Sequence, residues 1–131
     1  MKRSSFIIPI IAVIIGIAFL TFFEVYRIAN TSVDITHGSG SSTHPDCVST
    51  KSCYYPNPLI ISRGDTVTWT NKDSLRHTVT SGIPTGDVAG TIFDSKVIEP
   101  EQTFKFTFTN TGTYDYFCII HPWIQGQIIV K

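Results

Sequence analysis

The stretch GTYDYFCIIHPWIQGQIIVK, residues 112–131, contains the pattern that decides the fold. A strand-like run from Thr113 to Phe117 ends at Cys118, and a second apolar run, QIIV, follows the centre of the stretch. His121 lies between the two runs, and Pro122 stops the first strand because proline has no backbone N–H to donate. The stretch therefore predicts a tight loop, held by strands at both ends, whose thiol and imidazole can bind a transition metal.

Short β-segments separated by turn residues precede this loop. The predicted strands are Val33–Thr36, Leu59–Ser62, Thr66–Thr70, His77–Ser81 and Thr103–Thr109, with two briefer ones at Thr91–Phe93 and Lys96–Ile98. TVTWT places Val67 and Trp69 on one face, and the phenylalanines of TFKFTFT share one face of their strand. Seven or eight such strands, with no convincing helix after the N-terminal segment, predict an antiparallel β-sandwich or barrel.

The N-terminal segment is suited to crossing a membrane. Lys2 and Arg3 precede an almost unbroken apolar run, residues 6–23. At about 1.5 Å per residue this run spans roughly 27 Å, close to the ~30 Å hydrocarbon thickness of a bilayer. The basic flank predicts a cytoplasmic N-terminus and an extracytoplasmic C-terminal domain. A cleaved signal peptide is the alternative, in which case the domain is released into a secreted or periplasm-like space.

Charge excludes one class of partner. From Asn30 onward the chain has seven Lys and Arg against nine Asp and Glu, a net of about two negative charges. Nucleic-acid binding needs clustered basic side chains, so we expect no nucleic-acid partner.

Three cysteines are present, at positions 47, 53 and 118. An extracytoplasmic address permits disulfides. Cys47 and Cys53 lie six apart in a turn-rich segment and can pair with each other, which leaves Cys118 as a free thiolate. The alternative is that Cys118 pairs with one of them, and its position beside His121 argues against this.

One thiolate and two imidazoles in a trigonal plane are the ligands that a mononuclear redox copper prefers. Cys118, His121 and the distant His77 supply this set, provided that the strand of His77 lies near Cys118. Sequence alone does not force that adjacency. His37 and His44 lie in a Gly/Ser-rich loop, where histidines are more often solvated than ligating.

The order and spacing of several segments resemble those of the cupredoxins, the type 1 copper proteins, especially their amicyanin, pseudoazurin and halocyanin-like members. The resemblance rests on DTVTWTN followed by HTVTS, on TFKFTF, and on YFCIIHPW with a closing GQIIV. It implies a Greek-key β-sandwich in which His77, Cys118 and His121 hold one copper and the N–H of Thr78 donates to the sulfur.

The features above together predict an arrangement of domains and a partner. We expect an anchor or signal peptide over residues 1–29, a linker with the first strand and the disulfide-bearing segment over 30–57, and the cupredoxin core over 58–131. The ring edge of His121 would reach the surface, and a redox partner protein would dock near His121 and Trp123. Trp123 could equally plug the end of the sandwich.

Position 124 departs from the family pattern. An H-P-x-M loop places an axial methionine three residues after the ligand histidine, and here that position holds Ile124. Ile124 fills the axial position with hydrocarbon, or Gln125 supplies an axial amide, or the position is open to a small ligand. A closed site predicts a membrane-tethered carrier of single electrons. An open site predicts a copper redox enzyme acting on a ligand such as nitric oxide or nitrite.

Two other copper functions are disfavoured. Metal storage or delivery is less well supported because there is one free thiolate and no methionine-rich stretch. A binuclear copper centre would need two cysteines in the ligand loop, which contains only Cys118.

Overall fold

The computed structural model describes residues 31–43 and 46–131, which form two four-stranded β-sheets packed face to face. The strands are β1 (Ser32–Ile35), β2 (Tyr54–Tyr55), β3 (Leu59–Ile61), β4 (Thr66–Asn71), β5 (Thr80–Ser81), β6 (Thr103–Thr107), β7 (Gly112–Phe117) and β8 (Gln125–Val130). One short helix, α1 (Asp46–Ser49), lies between β1 and β2. The predicted all-β sandwich is confirmed.

The two sheets are mixed, not purely antiparallel. Their strand orders are β2-β1-β4-β6 and β3-β8-β7-β5. β1 pairs with β4 in parallel, and β3 pairs with β8 in parallel, while the other neighbours are antiparallel. The antiparallel prediction is wrong for these two pairs because alternation along a strand carries no information about the direction of its neighbour.

The predicted strand His77–Ser81 is shorter than expected. Only Thr80 and Ser81 form β5, and His77 reaches its neighbour Ile98 through an isolated bridge. The reason is that donors in this segment are used elsewhere, since the N–H of Val79 donates to the Ser95 hydroxyl at 2.7 Å. The predicted brief strands Thr91–Phe93 and Lys96–Ile98 are absent from the described residues, where this part of the chain has isolated bridges at Asp94 and Ile98.

The core lies between the sheets and is dominated by aromatic rings. Trp69 on β4 is fully buried, with ring centroids 5.6 Å from Phe104 and 5.6 Å from Tyr116. Phe104 and Phe106 face inward from β6, and Phe108 continues the same face beyond the end of that strand. This packing gives the sandwich a rigid interior beneath the end that carries the ligand loop.

The segment between β1 and β3 is closed by a disulfide between Cys47 and Cys53, which leaves Cys118 as a free, buried cysteine. The predicted membrane segment, residues 6–23, lies outside the described residues. Within the described residues, helices that could cross a bilayer are not found.

Candidate metal centre

The ligand loop is residues 118–124, between β7 and β8. The antiparallel register pairs Phe117 with Gln125, so both ends of the loop are held by the sheet. Two backbone hydrogen bonds close it: the N–H of Cys118 donates to Ile124 O at 3.1 Å, and the N–H of Ile124 donates to His121 O at 2.9 Å. The loop is therefore internally bonded and holds its thiol and imidazole in a defined geometry.

His77 approaches from a different part of the chain. β5 pairs with β7, with Thr80 opposite Phe117, and this pairing brings the segment before β5 alongside Cys118. His77 is fully buried there. The adjacency that the sequence left open is thus present in the fold.

Three potential ligand atoms face one another. His77 Nδ1 and His121 Nδ1 lie 3.7 Å and 3.8 Å from Cys118 Sγ, and 3.3 Å from each other. The circumcentre of this triangle lies about 2.1 Å from each atom, close to the ~2.0–2.3 Å of protein bonds from nitrogen and sulfur to a transition metal such as zinc. The donor set and its spacing fit a single metal ion in a trigonal plane.

Asp73 determines which nitrogen of His77 carries the proton. Its Oδ2 lies 2.8 Å from His77 Nε2, and both side chains are buried. Burial acts to raise the pKa of Asp73, but hydrogen bonds from His77 and from backbone amides, including those of Gly38 and Gly40, lower it to about 2. An ionised carboxylate can only accept, so the imidazole donates through Nε2, and Nδ1 is the nitrogen that can bind a metal once its proton is displaced.

The hydrogen bonds around the Cys118 sulfur favour its thiolate form. Burial acts to raise the pKa of Cys118, yet the hydrogen bond with His77 and the N–H of Thr78 lower it. The N–H of Thr78 donates to Sγ at 3.2 Å, the contact expected from the resemblance. A thiolate is the form of cysteine that binds metals.

His121 lies at the edge of the site. Its ring is partly exposed, and burial together with the neighbouring His77 lowers its pKa, which favours the neutral, ligating imidazole. Exposed apolar side chains lie near it in the chain or in space, namely Leu75, Ile119, Ile120 and Trp123. The Trp123 ring lies 5.3 Å from the His121 ring, and its indole N–H donates to Ser39 O at 3.0 Å.

The remaining predicted residues lie as follows. Ile124 is fully buried. The Gln125 side chain is exposed and its amide nitrogen donates to Pro122 O at 3.3 Å, so the structure does not direct that nitrogen into the ligand triangle. His37 is exposed, with Nδ1 3.9 Å from Asp73 Oδ1, and His44 lies outside the described residues.

Asp73 and Asn71 were not among the site residues predicted from the sequence. Asn71 is fully buried; its Oδ1 accepts from the N–H of Asp73 at 2.9 Å, and its Nδ2 donates to Leu75 O and Ile98 O. The available signal was the spacing of Asp73 and His77, a carboxylate four residues before a predicted ligand histidine.

Comparison with known proteins shows the family of this chain. The model of the copper binding proteins, plastocyanin/azurin family, matches residues 46–131. The chain belongs to this family. It is 36% identical over 78 residues to amicyanin from Paracoccus denitrificans. The aligned region covers 59% of this chain and 58% of that amicyanin. It is 30% identical over 84 residues to chloroplastic plastocyanin from Tetradesmus obliquus, covering 60% and 58% of the two chains.

Solved structures place it among the cupredoxins. A purple cupredoxin from Nitrosopumilus maritimus superposes with a TM-score of 0.67 at 31% identity, covering 78% of this chain and 100% of that one. A copper(I) amicyanin mutant superposes with a TM-score of 0.56 at 30% identity, covering 78% and 82%. The chain spans about 58% of the length of the curated amicyanins it matches. It is a cupredoxin of the amicyanin branch, a family that binds one type 1 copper ion, and its donor triangle fits that ion.

Proposed function

We propose that this cupredoxin carries single electrons through one copper ion held by His77 Nδ1, Cys118 Sγ and His121 Nδ1. The observation that supports it best is the triangle of one sulfur and two Nδ1 atoms with sides of 3.3–3.8 Å. Copper bound to such a set alternates between Cu(I) and Cu(II), which is the chemistry of type 1 electron-transfer sites.

The protein contributes a geometry that resists change. Asp73 holds the His77 ring, Thr78 donates to the sulfur, and backbone bonds close the ligand loop. Because the ligand atoms are fixed before an electron arrives, little rearrangement accompanies its transfer. Water is excluded on the side of His77 and Cys118, which are both fully buried.

Electrons would enter and leave through the partly exposed ring of His121. The surrounding apolar residues Leu75, Ile119, Ile120 and Trp123 support a docking surface for a redox partner protein, because an exposed apolar group of this kind marks interaction sites. Short-lived electron-transfer encounters use small interfaces. For the partner we predict only its chemical class, which is a protein with an accessible redox group.

We further propose that residues 1–29 tether the domain to a membrane with residues 31–131 on the extracytoplasmic side. The basic flank of the apolar run 6–23 supports this orientation, and the Cys47–Cys53 disulfide is typical of an oxidising compartment. Cleavage of the same segment would give a secreted domain.

At the axial position we propose that Ile124 supplies hydrocarbon and no ligand. Its full burial and its place at the end of the ligand loop support this, and the chain's single methionine is Met1. His77, Cys118 and His121 would then be the side chains that hold the copper. The alternative is an open axial position that binds a small molecule and turns the carrier into a redox enzyme. Ligand-binding measurements distinguish the open position from the closed one.

The test uses the full chain in detergent, loaded with Cu(II). We expect an intense visible thiolate-to-copper absorption and a type 1 EPR spectrum, both lost in Cys118→Ser. Titration with azide, nitrite and nitric oxide should leave the spectra unchanged if the axial position is closed, whereas saturable changes would establish the open site. A chain that refuses copper, or a spectrum that survives Cys118→Ser, would exclude the proposed function.

A further inference from the structure

Part of the Gly/Ser-rich loop that follows β1 is built into the metal centre. His37–Ser41, which follows β1 and is called the glycine loop below, packs against both sides of the site. Ser39 and Gly40 are buried, although the sequence HGSGS carries no apolar side chain. A Cβ added to Gly40 would lie 3.1 Å from His121 Cε1 and 3.1 Å from Asp73 Oδ2. The backbone of the loop therefore lies against the imidazole that reaches the surface.

Asp73 attaches the glycine loop on the His77 side. Its Oδ1 accepts from the N–H of Gly38 at 2.9 Å, and its Oδ2 accepts from the N–H of Gly40 at 2.9 Å. The Ser39 hydroxyl adds a longer contact of 3.4 Å to Oδ2. The same Oδ2 accepts from His77 Nε2, so one buried carboxylate joins the loop to a ligand histidine. Charge-assisted bonds of this kind are stronger than neutral ones.

Trp123 attaches the loop on the other side. Its indole N–H donates to Ser39 O, and its ring packs beside the His121 ring. Hydrogen bonds and one ring contact therefore connect His77 to His121 through Asp73, the glycine loop and Trp123. Neither attachment lies in the ligand triangle itself.

We propose that the glycine loop is a wall of the copper site, and that Asp73 and Trp123 are the positioning residues that hold it closed over His121. The inference rests on the proposed copper site. Closure limits access of water and small anions to the metal from the His121 side. The Asp73 carboxylate has a second effect, because a hydrogen bond to it makes the His77 imidazole a stronger donor and favours Cu(II) over Cu(I).

Variants of Asp73 and Trp123 separate closure of the glycine loop from the effect on the His77 imidazole. Trp123→Phe keeps an aromatic ring beside His121 but removes the N–H donor to Ser39. Asp73→Ala removes the acceptor of the loop amides and the partner of His77 together, while Asp73→Asn keeps one acceptor oxygen without the charge. Asp115→Asn is the matched control, because Asp115 is an exposed aspartate whose side chain accepts from Gln127.

Three measurements on the full chain in detergent test the proposal. Amide exchange of Gly38 and Gly40 is followed by NMR in the metal-free chain, and azide binding and the reduction potential are measured after copper loading. We expect at least tenfold faster exchange in Trp123→Phe and Asp73→Ala, and in both variants a saturable change of the copper spectrum with azide that the wild-type chain does not show. The potential should rise in Asp73→Ala, with a smaller rise in Asp73→Asn, and stay unchanged in Trp123→Phe. Copper affinity should fall about 10–100-fold in Asp73→Ala.

The proposal is overturned if Trp123→Phe has wild-type amide exchange and wild-type azide binding in a chain with the Cys118-dependent copper spectrum. It is also overturned if Asp115→Asn shifts these quantities as much as Asp73→Asn does. Should Asp73→Ala fail to fold, Trp123→Phe decides alone. Failure of the wild-type chain to form the copper spectrum would exclude the proposed function, and exchange in the metal-free chain would still show whether Asp73 and Trp123 hold the loop.

Discussion

The hydroxyl of Thr78 accepts a hydrogen bond of 2.9 Å from the backbone N–H of Ile119, the residue that follows Cys118 in the ligand loop. Thr78 thus contacts the loop twice, since its own N–H donates to the Cys118 sulfur. One residue next to His77 therefore joins the two parts of the chain that supply the ligands.

Replacing Thr78 with Ala should destabilise the domain by about 1–3 kcal/mol, because it leaves the N–H of Ile119 without a partner in a partly buried position. Urea unfolding of the metal-free chain measures the loss. Thr78→Ser keeps the hydroxyl and serves as the control, with a loss below about 1 kcal/mol. Equal losses in the two variants would show that the methyl group matters and the hydrogen bond does not.

Replacing Cys118 with Ser should abolish the visible absorption, because a serine hydroxyl is not a thiolate donor at neutral pH. The double variant Cys47→Ser with Cys53→Ser should keep the absorption and lose about 2–3 kcal/mol of stability, as expected for the opening of a short disulfide loop. Absorption spectra with one equivalent of Cu(II), and unfolding curves of the same samples, check both statements. Loss of the copper spectrum in the double variant would contradict the separation of the two cysteine roles.

Replacing Ile124 with Met should lower the reduction potential, because a thioether at this position adds a weak axial ligand that favours Cu(II). A tenfold stronger preference for Cu(II) corresponds to a decrease of about 59 mV for a one-electron couple. Spectroelectrochemistry measures it, and Ile124→Leu controls for the change in packing. A potential equal to that of the Leu variant would show that position 124 does not reach the metal.

Replacing Gly126 with Ala should cost about 1–3 kcal/mol, because the new Cβ would overlap the buried ring of Tyr116 on the neighbouring strand. Unfolding measurements in a double-mutant cycle test this cause. The cost should shrink in a Tyr116→Leu background, where the ring is absent. An unchanged cost there would point to backbone effects at residue 126.

The ion pair of Asp94 predicts a pH dependence. Burial acts to raise the pKa of Asp94, but hydrogen bonds from Lys96, 2.8 Å away, and from Thr80 lower it. A lowered folded-state pKa stabilises the fold above the ordinary value of 3.8, and this contribution is lost as the pH falls through the folded-state pKa. Asp94→Asn should therefore lose at most about 1 kcal/mol at pH 7, since Lys96 is exposed.

Unfolding of wild type and Asp94→Asn at several pH values measures this difference. It should disappear below the folded-state pKa, where both side chains are neutral. A difference that is independent of pH would assign the loss to packing around residue 94.

The sequence by itself determined the elements whose information is local. Alternation placed Trp69 and the three phenylalanines of TFKFTFT on core faces, because a strand repeats every two residues. The spacing of Cys118 and His121 put a thiolate and an imidazole on one loop, and Cys47 and Cys53 were close enough to pair.

The tertiary structure decided what depends on distant neighbours. Pairing of β5 with β7 brought His77 to Cys118, and the parallel pairs β1–β4 and β3–β8 set the sheet order. Ser39 and Gly40, in a Gly/Ser-rich loop, are buried where Asp73 and Trp123 bond to the backbone of that loop. Backbone hydrogen bonds leave no trace in side-chain patterns, and for that reason only the fold could show this loop as part of the site.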